Sequence, residues 1–127
     1  MKKNVIVLAL LNSVFLFSQE RNLRNIQQLT DGGDNAEAYF SPNGKFLTMQ
    51  VTNKNLGAEC DQIFAYDLSK DYSKKSDNLQ LISTGKGRTT CSFFMPDSQH
   101  ILYASTHEAN SACPAPPVSK DGKYLWA

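Results

Sequence analysis

The sequence predicts an all-β fold, a β-propeller of four-stranded antiparallel blades, with one blade and part of a second on this chain. Two observations carry this. An internal repeat recurs at a fixed offset of 54 positions (residue 39 onto 93), and each copy alternates apolar and polar side chains with the period of a strand. A third observation, an apolar leader, bears on where the fold resides.

The leader comes first. Lys2 and Lys3 precede an apolar run over residues 5–17, broken only by Asn12 and Ser13, and Ser18 follows as a small residue before Gln19 and Glu20. Charge, apolar core and small residue, in that order, read as a secretory signal over residues 1–18, cleaved near Ser18–Gln19. A membrane span needs about 20 apolar residues, and this run is shorter, so no span is expected after cleavage. Residues 19–27 read as a linker. Removing Lys2 and Lys3 from the 13 basic residues leaves a body with one more acid than base. That body has no footprint for nucleic acid or an anionic membrane.

The repeat organises the remainder, 28–127. Residues 36–52 (AEAYFSPNGKFLTMQVT) align without a gap on residues 90–106 (TCSFFMPDSQHILYAST). Tyr39 and Phe40 fall on Phe93 and Phe94, Pro42 on Pro96, Asn43 on Asp97, Leu47 on Ile101, Thr52 on Thr106, and, upstream, Gly33 on Gly87. The aromatic pair closes a first strand. Pro42 presets φ for a turn, Asn43 suits the next position, and Gly44 relieves the exit. The second strand places Leu47, Met49 and Val51 on one face and Phe46, Thr48 and Gln50 on the other. Residues 62–68 form a third strand and 79–82 a short fourth, after a polar loop over 69–78. A β-sandwich with two similar hairpins is the rival, but it does not require matching turns and aromatics at one offset. Propellers close with four to eight blades of about 40–50 residues. The chain is therefore expected to be a piece of a longer protein, stopping inside the apolar run 124–127.

The run Tyr39-Phe40-Ser41-Pro42-Asn43-Gly44-Lys45, with Asp61-Gln62-Ile63-Phe64-Ala65-Tyr66-Asp67-Leu68 and the lead-in Leu29-Thr30-Asp31-Gly32-Gly33-Asp34, resembles the repeat of TolB-like β-propellers. The resemblance covers about residues 28–106; Asn43 for Asp and Ser98 for Gly depart from the pattern. It implies a periplasmic or secreted, non-catalytic module that binds protein partners in the cell envelope. The alternative it implies is the propeller of a prolyl-oligopeptidase-like serine peptidase, whose hydrolase domain would lie beyond residue 127.

Loops carry function on a rigid scaffold, and alternate loops of a blade share one face. Those loops are residues 31–35, 53–60, 83–89 and 107–122, and on or beside them lie Asp34, Glu37, Arg88, His107 and Glu108, the expected partner-binding face. Cys60, Cys91 and Cys113 sit there too. In an oxidising compartment they allow one disulfide and one leftover thiol, and the sequence leaves the pair open. A metal site using His107 matches no standard zinc spacing. Gly85-Lys86-Gly87-Arg88-Thr89 lacks the spacing of a P-loop and leads into a strand. His107-Glu108 has Ser111 where a zincin needs His, and no Gly-x-Ser-x-Gly elbow exists. His100 reads as a surface residue. No catalytic residue, metal or cofactor is expected, and the oligomeric state is left open.

Overall fold

The computed structural model describes residues 22–115 and 118–123. The expected signal over residues 1–18 lies outside them, as do residues 124–127. The architecture is antiparallel β-sheet with no helix beyond 3-10 turns among the described residues. Strands β1 (Asp34–Phe40), β2 (Phe46–Asn53), β3 (Ala58–Asp67) and β4 (Leu79–Leu81) form a four-stranded meander in sequence order. Strands β5 (Thr89–Phe94) and β6 (Ile101–Ser105) form a separate two-stranded sheet.

Local chemistry explains each connection. Between β1 and β2, Ser41 N–H bonds Phe46 O at 2.9 Å, and the Asn43 carboxamide oxygen accepts from Lys45 N–H at 3.0 Å. Between β2 and β3, the Asn53 side chain caps a 3-10 turn over Lys54–Leu56, and Gly57 ends it in the left-handed region at φ 74°. Between β3 and β4, Asn78 Nδ2 donates to the buried Tyr66 hydroxyl at 3.0 Å, tying the polar loop to the core.

The two hairpins, β1–β2 and β5–β6, are the same object built twice. Ala36 pairs with Gln50 and Tyr39 with Thr48; Thr90 pairs with Ala104 and Phe93 with Leu102. The first strand of each hairpin carries a bulge between those pairs. The bulge residues, Glu37 at φ 51° and Cys91 at φ 52°, are both left-handed. The turn residues repeat too: Gly44 at φ 68° and Ser98 at φ 58°. Asp97 accepts Gln99 N–H at 2.9 Å, as Asn43 accepts Lys45 N–H.

Leu47, Met49, Val51, Ala58, Phe64 and Tyr66 form the buried core on one face of the four-stranded sheet, backed by Leu29, Leu56, Leu68 and Leu79. Burial of each large apolar side chain is worth about 1.5–3 kcal/mol. The other face, with Phe46, Thr48, Ile63 and Ala65, is covered by β5. Thr48 and Ser92 share a 2.7 Å hydroxyl hydrogen bond, and the Phe46 and Phe94 rings meet at 6.5 Å.

Stacking explains four exposures that propensity does not. Phe94 is 5% exposed, packed on the first sheet, whereas its repeat equivalent Phe40 is 68% exposed. Thr48 is fully buried beneath the second sheet, whereas its equivalent Leu102 is 67% exposed. Each hairpin therefore has two faces fit for burial. Among the described residues only the inner pair of faces is covered by a sheet.

Two outcomes follow from the repeated geometry. A Cβ on Gly87 would lie 2.7 Å from His107 N, and one on Gly33 would strike Thr52 O and Asn53, whereas one on Gly44 meets nothing within 4 Å. Gly44→Ala should cost only the left-handed penalty, about 1–2 kcal/mol. Gly33→Ala and Gly87→Ala should each lose more than about 3 kcal/mol in denaturant melts, since steric overlap adds to that penalty. Equal losses at all three positions would contradict this packing.

The second outcome concerns pH. The Asp97 carboxyl is held down to about 2, chiefly by the Gln99 N–H, then by the His100 side chain and the His100 N–H. Because its folded value lies below the unfolded one, its contribution to the turn is present above about pH 4 and lost as pH falls toward 2. The Gln99 amide resonance should titrate in that window and the Lys45 amide should not, since Asn43 carries no proton to gain. Asp97→Asn should abolish the transition; its persistence would contradict the assignment.

Candidate functional site

At one end of the sheets, the loop after β4 and the loop after β6 meet the start of β3, and Asp61 is the hub. Its Oδ1 accepts from Thr52 Oγ1 at 2.6 Å, its Oδ2 from Arg88 Nη1 at 2.8 Å, and its carbonyl from Thr89 Oγ1 at 3.0 Å. The Asp61 and Arg88 side chains are only 20% and 29% exposed, so the pair is partly shielded from solvent. Arg88 Nη2 reaches Pro114 O at 3.4 Å and lies 3.8 Å from Cys113 Sγ. The Arg88 backbone is locked to Thr106, donating to its Oγ1 and accepting from its N–H.

A disulfide joins Cys60 to Cys113, across a sequence separation of 53. In the chain-entropy account, a loop of that length contributes about 4 kcal/mol. Beside it, Gly87 O accepts from Gln62 Nε2 at 2.9 Å, Gln62 Oε1 accepts from Ser83 Oγ at 2.7 Å, and Gly87 N–H donates to Ser111 O at 2.9 Å. These bonds satisfy buried polar groups that would otherwise cost about 1–3 kcal/mol each. They leave a polar cleft of about 220 Å³ on the rim, lined by Gly57, Glu59, Cys60, Gly85, Ser111 and Cys113 among others.

The residues expected to form a partner-binding face divide into four groups. Arg88, Cys60 and Cys113 are brought together, but the Arg88 guanidinium is engaged with Asp61 and Pro114 and acts as a strut. His107 follows β6, half-buried, with Nδ1 2.7 Å from Ser105 Oγ; Glu108 beside it is exposed. Asp34 begins β1 and is exposed. Glu37 and Cys91 belong elsewhere: as the two bulge residues they share a shallow groove of about 290 Å³ with Tyr39, Ser92 and Phe93. Cys91 is the free, exposed thiol. Among the described residues no three His, Cys, Asp or Glu side chains converge on one point to hold a metal.

Sequence reading passed over Asp61, Gln62 and Ser83 as site residues. The signal was present for Asp61: an acid leading into the apolar run Ile63-Phe64-Ala65-Tyr66 needs a partner. The chain matches no family model, and no curated protein or solved structure matches it.

The rim predicts a thiol count and a coupling. Titration of the unreduced, denatured protein should find one reactive thiol, Cys91, and three after reduction; three before reduction would exclude the disulfide. Arg88→Ala and Asp61→Ala should each cost about 1.5–3 kcal/mol, and the double variant should cost less than their sum because both lose one interaction. Strict additivity in denaturant melts would show that the two side chains do not act on each other.

Proposed function

We propose that the two sheets are successive blades of an exported, non-catalytic β-propeller of the TolB-like kind, a protein-binding scaffold of the cell envelope whose working face is the disulfide-clamped rim. The observation that carries the reading is the repeated hairpin. Register, bulge, left-handed turn residue and close-approach glycine recur at one offset, and the copies stack in sequence, the Thr48 face of the first against the Ser92 face of the second. Repetition of one supersecondary unit, stacked face to face, is how propellers are built.

Two further features support it. A disulfide belongs to an oxidising compartment, outside the bacterial cytoplasm, in keeping with the leader at residues 1–18. The rim cleft offers Glu59, exposed backbone at Gly57 and Gly85, and nearby His107 and Glu108. Polar groups of this kind, held on loops that a disulfide and an ion pair stiffen, suit recognition of a peptide segment at low entropic cost.

The test is site-specific photo-crosslinking in cells expressing the intact chain. A crosslinker at position 59 or 108 should capture the same envelope protein, and one at position 73, on the opposite loop, should not. That captured protein, purified, should bind a Glu59→Ala/Glu108→Ala variant about tenfold more weakly while the melting temperature stays within a few degrees. Intact mass should place the mature N-terminus near Gln19. Retention of residues 1–18 would overturn export. Capture from position 73 alone, or none from the rim, would overturn the working face.

A further inference from the structure

Where the two bulges meet, β1 and β5 share the groove of about 290 Å³ lined by Glu37, Tyr39, Cys91, Ser92 and Phe93. Neither the rim nor the buried core uses it. Tyr39 and Phe93 stand 46% and 59% exposed, two large rings that the fold has not buried. Their centroids are 6.3 Å apart and their planes meet at 61°, so the rings form a corner and not a stack. Glu37 beside them is exposed, and among the described residues no ion pair includes it. The two strands that build the groove carry Asp34 and Glu37 and no lysine or arginine. The left-handed backbone at Glu37 and Cys91 breaks the plain alternation of both strands at this point. Bulges next to binding sites re-aim side chains in this way.

We propose that this groove binds a small quaternary ammonium compound, its cationic head in the Tyr39–Phe93 corner and its charge balanced by Glu37. The faces of aromatic rings carry negative charge density and attract a cation. A quaternary ammonium group answers both halves of the site. Its alkyl groups bury apolar surface against the rings, and its charge meets a carboxylate that has no other cation. An anion would be repelled by Glu37, and a neutral apolar ligand would desolvate the carboxylate with nothing in return. The site stands apart from the rim and needs no partner bound there. Every residue in it belongs to the two hairpins described. In stacked blades around a central channel, the edge strands β1 and β5 border that channel, and further blades extend this wall.

Titration of the protein with choline chloride, followed by nuclear magnetic resonance, tests this. Choline should shift the Tyr39 and Phe93 ring resonances and the Glu37 amide in one saturable transition in the millimolar range. Glu59 and Glu108 on the rim should not move, and potassium chloride at the same concentration should reproduce none of the shifts. The neutral analogue, with a tert-butyl group in place of trimethylammonium, should bind about tenfold more weakly. Glu37→Gln keeps the size of the side chain and should weaken choline about tenfold, and Phe93→Leu should weaken it about fivefold, both with the melting temperature unchanged. If Phe93→Leu does not fold, Tyr39→Leu takes its place. No saturable shift, equal binding of the neutral analogue, a Glu37→Gln variant that binds as the wild type does, or shifts confined to the rim would each overturn the proposal. Phosphocholine binding more tightly than choline would overturn the free cation as ligand in favour of a phosphorylated headgroup. Any of these failures leaves the crosslinks from positions 59 and 108, and the function they test, standing.

Discussion

A sheet with apolar side chains on both faces must be covered on both, and most of this structure is a response to that constraint. On β2, Leu47, Met49 and Val51 point one way and Phe46 and Thr48 the other, and nearly all are buried. One face is satisfied locally by Leu29, Leu56 and Leu68, drawn from the lead-in and the loops. The other is satisfied only by the second hairpin, through Ser92 and Phe94. That hairpin then presents its own outer face, with Leu102 exposed. The demand for cover is passed along the stack.

Backbone features make the passing-on possible, because both hairpins share one curvature. The left-handed bulge at Glu37 and Cys91 bends the first strand of each hairpin at the same point. Neither residue is glycine, so each bulge carries a conformational cost of order 1–3 kcal/mol that the surrounding ladder must hold in place. The glycines at 33 and 87 let the chain cross close to the end of the second strand, where a side chain would collide with backbone. Strand pairing alone would not force equal bends in two hairpins whose sequences differ at most positions. Equal bends let Phe94 pack on the sheet that Phe46 belongs to.

How much of this was legible in the sequence depends on how far apart the interacting residues lie. Strands β2 and β3 and the Pro42-Asn43-Gly44 turn were legible because alternation and turn chemistry are local signals. The repeat was legible because Tyr39-Phe40 and Phe93-Phe94 flag it. The bulges were not, since nothing about Glu37 or Cys91 favours a left-handed backbone. Ser98 departs from the glycine of the repeat pattern, and the structure shows it adopting the left-handed position all the same. Its side chain is reused there, with Ser98 Oγ accepting from Asn43 N–H at 3.2 Å across the two sheets. The rim was half legible. Cys60, Arg88 and Cys113 were named, but their roles depend on Asp61, Thr106 and Pro114, whose proximity only the stacking of the two sheets creates.

The account stands on the second hairpin lying against the first sheet in repeat register, and aromatic contacts report that register directly. In nuclear Overhauser spectra of the protein with labelled aromatic rings, Phe46 and Phe94 should show mutual ring-proton contacts, as should Tyr39 and Phe93, whose centroids are 6.5 and 6.3 Å apart. Phe94 ring contacts to strands other than β2 and β3, or none at all to Phe46, would contradict the stacked arrangement on which the rim, the covered face and the proposed function all depend.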